Sequence, residues 1–224
     1  MACRTPRYLK WQPHSRHVLS VHVKPDLDFS VILLAAGQSK RMGRVNKLLL
    51  PANGEPLVRR AAKLYINLGL EVSVVLGHQA DLVAAALSGL DVNIILNEDY
   101  AAGQQRSVEA GFNAISGATS KPVLIALSDQ PFLTADDITE FCGAFLAGSS
   151  DKIMVPYWEQ TRGNPVIFPA EIIQHMRAQD KLSAVRKFID SNPDRVTRYD
   201  APTHHFIRDV DTHEAAMRDL PQLN

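Results

Sequence analysis

Four short apolar runs, each followed by a helical pattern, constrain this chain more than any other feature of its sequence. They cover residues 30–35, 71–76, 92–96 and 122–127. Each has the length of a buried strand and is too short for an ordinary helix. The intervening segments carry helix signals. Residues 56–68 place Pro56 near a first turn and Gly69 as a stop. Residues 79–87 stop near Gly89, and residues 104–115 form a third helix that tolerates Gly111. Thr134 caps a fourth helix that reaches Leu146, because Asp137 stands three positions on as an acidic N3 residue. Strands alternating with helices across short turns predict an α/β fold, a mostly parallel sheet with helices on both faces.

Beyond residue 150 the pattern loosens. Short strands are expected over 152–156 and 164–168, and helices over 170–178 and 182–189. A last strand over 205–210 and a final helix over 212–220 complete the expectation. There is no clear linker or repeat, so residues 30–224 read as one domain. Residues 1–29 are basic, with Arg4, Arg7, Lys10 and Arg16, and lack the uninterrupted apolar segment of a signal peptide. They read as a flexible extension ahead of the domain. The alternative is a short added strand over 18–23.

Charge narrows the partners. Lys plus Arg and Asp plus Glu both total 24 in 224 residues, so formal net charge is zero. A nucleic-acid binder usually carries a basic excess; a small anionic ligand fits better. No apolar run approaches the length of a membrane span. Cys3 and Cys142 show neither metal-ligand spacing nor a disulfide framework, which points to a reducing cytoplasm.

The first run ends in Leu34-Ala35-Ala36-Gly37 and enters a turn containing Ser39, Arg41, Gly43 and Lys47. In an open parallel sheet, ligands collect beyond such strand ends. Small side chains there let a base or ribose approach the backbone. Arg41 offers a planar fork of donors and Lys47 a mobile point charge, both suited to phosphate. The alternative is a solvated basic turn, and Arg44 and Lys40 read as surface charges. Neither GxxxxGK[ST] nor GxGxxG occurs, which weakens the simple kinase and dinucleotide readings.

Asp129 follows the fourth run, on the same expected rim. A nucleoside triphosphate needs Mg²⁺, and Mg²⁺ takes carboxylate oxygens together with phosphates. Asp129 suits that role, or is a turn aspartate bonded to its own backbone. Strand alternation would put Asp209 and Asp211 on one face. Asp211 can also cap the final helix, with Glu214 three positions on, which leaves Asp209 as the better second ligand. Asn97, Gly103 and Ser107 follow the third run in a polar, Gly-containing helix entry. They could meet a nucleobase or form an ordinary helix start. Arg162, Gly163 and Asn164 enter a later strand as a rim contact for a second substrate, or as a plain β-turn. His204-His205 is a poor metal pair, and His78 stands at another strand end.

Together these residues resemble the MobA-like nucleotidyltransferase family, within the glycosyltransferase-A-like group. LAAGQSKRMG followed by Lys47 is similar to the family's opening signature. Leu127-Ser128-Asp129-Gln130-Pro131 resembles its metal-binding aspartate motif, and the segment from Gly103 through Ser107 to Gly111 resembles its G…S…G segment. Arg162-Gly163-Asn164-Pro165 is similar to an RGHP-type acceptor motif, with Asn164 in place of His. Asp209-Val210-Asp211-Thr212 resembles the closing DIDT segment. The likeness covers about residues 30–220 and implies a Rossmann-like three-layer sandwich with a mostly parallel mixed sheet.

LAAG at the strand end looks like the molybdenum cofactor cytidylyltransferases. That resemblance implies Mg²⁺-dependent transfer of CMP from CTP to a molybdopterin-type acceptor, with release of pyrophosphate and a molybdoenzyme or its chaperone as partner. A guanylyltransferase, or another NTP transferase acting on a sugar phosphate or small phosphorylated acceptor, is the first alternative. A non-catalytic nucleotide-binding module is an alternative of another class. Some relatives are oxidoreductases, but no nicotinamide or flavin motif occurs. The implied roles are Asp129 and Asp209 on Mg²⁺, Arg41 on the β- and γ-phosphates, and Lys47 on the α-phosphate.

Overall fold

The computed structural model describes residues 27–43, 45–115, 120–148 and 150–223. The possible strand over 18–23, the basic residues of the extension and Arg44 lie outside the described residues. The elements run β1 (Ser30–Ala35), β2 (Pro51–Ala52), β3 (Glu55–Pro56), α1 (Leu57–Ile66), β4 (Glu71–Leu76), α2 (Ala80–Ala86) and β5 (Asn93–Leu96). They continue with α3 (Gln104–Ala114), β6 (Val123–Leu127), α4 (Ala135–Ala147), β7 (Ile153–Trp158), β8 (Thr161–Arg162) and β9 (Val166–Phe168). Last come α5 (Ala170–Ala178), α6 (Val185–Ser191), β10 (Val196–Asp200) and α7 (His213–Asp219).

Eight strands form one sheet in the order β10-β7-β9-β6-β1-β4-β5, with β8 paired to β7. Strand β1 lies between β4 and β6, parallel to both, and β9 runs antiparallel to β6 and β7. The expected mostly parallel mixed sheet is therefore present.

All six residues of β1 are buried, as a strand covered on both faces requires. Its alternation sorts the core. Val31 and Leu33 pack with Val58 and Tyr65 of α1 and Phe141 and Phe145 of α4. Ile32 and Leu34 pack with Phe112 of α3, Met176 of α5 and Phe188 of α6. Gly111 has a structural reason: a Cβ there would lie 2.5 Å from Cγ2 of Ile32, so its absence lets α3 press onto β1.

Helix α4 carries the expected capping box. Thr134 accepts from the Asp137 backbone, and the Asp137 carboxylate accepts from the backbone and hydroxyl of Thr134. Asp137 also accepts from the Thr203 hydroxyl and bonds His205 Nδ1 at 2.8 Å.

The C-terminal third departs from expectation. Residues 205–210 form no strand; His204–Ile207 is a 3₁₀ turn that leads into a loop. Its polar groups have other partners. Asp137 holds His205, and the Phe206 carbonyl accepts from Gln130 and Asn164. The real last strand is β10, which pairs parallel with β7. Its sequence, VTRYD, lies at the sheet edge with Arg198 and Asp200 exposed, so no apolar run marks it. Asp211 does not cap α7; the adjacent Thr212 does, accepting from the Ala215 backbone. Among the described residues, no helix is long and apolar enough to cross a membrane.

Candidate active site

The ends of β1 and β6 lie side by side, because Leu34 is paired with Leu127 across the parallel ladder. The residues that follow them line one cavity of about 510 Å³. The turn after β1 is shaped by its backbone. Ser39 and Gly43 both have left-handed φ angles, 50° and 67°, and the Ser39 hydroxyl accepts from the Lys47 backbone at 3.3 Å. A non-glycine residue in that region is uncommon, and such strain concentrates at ligand sites.

Lys47 is the electrostatic centre. Its ammonium lies 2.5 Å from both Asp129 Oδ2 and Asp211 Oδ1. Arg41 reaches the other oxygen of Asp211, at 2.7 Å. Burial opposes the charged form of Lys47, but Asp129 and Asp211 overcome it and hold its pKa above the usual value. Burial likewise opposes ionisation of Asp211, and Lys47 and Arg41 reverse the balance, so this carboxyl sits below the usual range. In Asp209 the opposing pull of Lys47 is outweighed. Partial burial, then the charges of Asp211 and Asp129, push its carboxyl upward.

Carboxylate oxygens of Asp129, Asp209 and Asp211 lie within 4.8 Å of one another. Oδ1 of Asp129 is buried without a hydrogen-bond partner. Three hard oxygen donors, one of them with unused lone pairs, fit a divalent cation such as Mg²⁺ or Mn²⁺. The Lys47 ammonium neutralises two of the same carboxylates.

Of the residues singled out from the sequence, Leu34, Ala36, Gly37, Ser39, Arg41 and Lys47 line this cavity. Gly103, Ser107, Asp129 and Asp209 join them from other elements. Two do not take the place expected. Ala35 is buried in the core beside α1 and α4 and does not line the cavity. Asn97 does not present a free amide: it donates to Ser107 Oγ at 3.0 Å and accepts from the Asp99 backbone. Its polar groups brace the β5–α3 loop. Arg162, Gly163 and Asn164 line a separate neighbouring cavity of about 270 Å³, which shares Gln104 and Leu127 with the first.

Asp211, which the sequence offers as a helix cap, is instead a member of the acidic cluster. The competing cap at Thr212 was the available signal. Tyr100 and Gln104 also line the main cavity. The polar stretch containing them was legible, but their individual directions were not.

Residues 31–196 match the family of the MobA-like NTP transferase domain. The chain belongs to this family. As a MobA-like domain, it is 31% identical to the nicotine blue oxidoreductase of Paenarthrobacter nicotinovorans over 193 residues, covering 84% of this chain and 94% of that protein. It is 34% identical to the bifunctional protein GlmU of Kineococcus radiotolerans over 130 residues, 57% of this chain but only 26% of GlmU. In fold it is similar to a nucleotidyl transferase from Methanothermobacter thermautotroptrophicus. That similarity has a TM-score of 0.70 and 22% identity, and covers 87% of this chain and 97% of the other. The MobA-like domain thus has the expected NTP-transferase, glycosyltransferase-A-like architecture.

Proposed function

We propose that this MobA-like domain is a metal-dependent nucleotidyltransferase, moving CMP from CTP to a molybdopterin-type phosphorylated acceptor and releasing pyrophosphate. The observation that carries the nucleotidyl-transfer reading is the convergence of Asp129, Asp209 and Asp211 with Lys47 and Arg41 on the small-residue turn after β1. CTP and the acceptor rest on the sequence resemblance.

An acceptor phosphate oxygen attacks the α-phosphorus, the bond to the bridging oxygen breaks, and pyrophosphate departs. An ionised phosphate is already a nucleophile, so no histidine or serine base is needed. Catalysis is then orientation and charge stabilisation. Mg²⁺ bound by Asp129, Asp209 and Asp211 would supply positive charge to the phosphates. Arg41, largely exposed at the rim, binds the β- and γ-phosphates. Lys47 stabilises charge at the α-phosphate. Leu34, Ala36, Gly37 and Ser39, with Gly103 and Ser107 across the cavity, bound the nucleoside. Arg162, Gly163 and Asn164 receive the acceptor in the adjoining cavity, whose walls include Val166 and Phe168.

The test is pyrophosphate release from a panel of nucleoside triphosphates, with and without molybdopterin acceptors. Release requiring both CTP and acceptor supports the reading. Nucleotide binding without release makes the domain a binding module instead. A second reading is favoured by one observation, the similarity to nicotine blue oxidoreductase across most of that protein's length. It predicts redox turnover of nicotine blue in the absence of any triphosphate.

A further inference from the structure

The loop that carries Asp209 and Asp211 has no regular ladder to hold it, yet both carboxylates must meet Asp129. Two adjacent residues bracket it. The Asp129 carbonyl accepts from the Val210 backbone at 2.9 Å. The Gln130 side chain donates from Nε2 to the Phe206 carbonyl at 2.8 Å. Residues 207–209 are therefore fixed at both ends by one dipeptide at the end of β6. Asp209 lies inside the bracket and Asp211 one residue beyond it.

The Phe206 end is immobilised from other sides. Its ring is fully buried and packs against Phe141 and Tyr199, with centroids 5.6 and 6.0 Å away. The same carbonyl also accepts from the Asn164 backbone at 2.8 Å. Gly163 is packed against it: a Cβ there would lie 2.5 Å from the carbonyl oxygen and 2.9 Å from its carbon. Gln130 itself is 4% exposed, so its donor group has no ready exchange with solvent.

We propose that Gln130 is a positioning residue that sets Asp209 and Asp211 against Asp129 through the Phe206 carbonyl, with Gly163 leaving the space this requires. The inference rests on the metal-assisted reading of the site. Residues that orient metal ligands typically change metal affinity or activity by about 10–100-fold when altered. Methionine at 130 keeps the length of the side chain and removes the donor. Alanine at 163 leaves Gln130 in place and displaces the carbonyl by contact.

Mn²⁺ titration of the full-length protein, read by electron paramagnetic resonance, tests this without relying on turnover. Gln130→Met and Gly163→Ala, each with a native circular dichroism spectrum, should raise the Mn²⁺ Kd by about tenfold or more. Folded variants that bind Mn²⁺ as tightly as wild type would overturn the positioning role alone. If Gln130→Met does not fold, unchanged affinity in Gly163→Ala overturns it by itself. Absence of Mn²⁺ binding to wild type would overturn both the positioning role and the metal-assisted reading.

Discussion

The Lys47 ammonium lies 2.5 Å from Oδ2 of Asp129, a contact between residues 82 positions apart. It joins the turn after β1 to the end of β6, and it gives one cation a hold on a carboxylate assigned to the metal. A metal ion at Asp129 and the Lys47 ammonium therefore compete for the same negative charge.

Replacing Lys47 should have opposite effects on binding and turnover. Two unit charges about 4 Å apart in water interact by ~1 kcal/mol, a factor of about five. Mn²⁺ is divalent and the Lys47 side chain is only 12% exposed, so Lys47→Met should bind Mn²⁺ at least about fivefold more tightly in the absence of nucleotide. It should also lose about 3 kcal/mol of transition-state stabilisation, by analogy with other charge-stabilising donors, seen mainly in kcat. Mn²⁺ titration beside steady-state kinetics separates the two effects.

Arg41 should behave differently. Its side chain is 71% exposed, and its pair with Asp211 is of the kind that contributes only about 0–1 kcal/mol to stability. Arg41→Ala should leave the denaturation midpoint close to wild type. It should raise KM for the nucleotide more than it lowers kcat, because a rim phosphate contact is made in ground state and transition state alike. Thermal melts and initial-rate kinetics on the same preparation check both statements.

Asp137 is a stability residue, and its effect depends on pH. Burial tends to raise its pKa, but hydrogen bonds from Thr134, His205 and Thr203 prevail and hold it below the usual 3.8. Stability from this carboxylate is thus fully present above the usual carboxylate range. It is lost as pH falls below 3.8 through the depressed folded-state value. Near neutral pH, Asp137→Ala should cost about 1–3 kcal/mol, because the carboxylate's half of the capping box is lost and the partly buried donors of Thr134, Thr203 and His205 are left unpaired. Urea unfolding of both proteins from neutral pH into acid should show that difference shrinking.

Base choice is expected to favour CTP. Ala36 is a small lining residue of the cavity, and the preference rests on the sequence resemblance. A tenfold preference in kcat/KM over GTP corresponds to about 1.4 kcal/mol. Competition kinetics with both nucleotides measures it, and a tenfold preference for GTP would reverse the assignment.

The half of the fold that holds β1, β4, β5 and β6 was legible because each strand is a short apolar run, buried in β1, β4 and β6 and largely exposed in the edge strand β5. The Thr134–Asp137 cap was equally legible, since its partners are three residues apart. Strand β10 was hidden because an edge strand with Arg198 and Asp200 outside has no such run. The 205–210 segment misled for the opposite reason: Phe206 and Val210 are apolar because they plug separate core clusters, not because they share a strand. In the site, Asp129, Arg41 and Lys47 were marked by local pattern. The place of Asp211 depends on Lys47, 164 positions away, and no local spacing encodes that contact.

Asp129→Asn provides the most direct test of metal-assisted nucleotidyl transfer. The residue stands beyond the end of β6, outside the packed clusters, and Lys47 keeps its pair with Asp211, so the variant should retain its circular dichroism spectrum. An amide is a much poorer ligand than a carboxylate for Mg²⁺. With saturating CTP, Mg²⁺ and molybdopterin acceptor, pyrophosphate release should fall by at least about a hundredfold, in line with a loss near 3 kcal/mol. A folded Asp129→Asn protein that keeps a near-wild-type kcat would contradict the account.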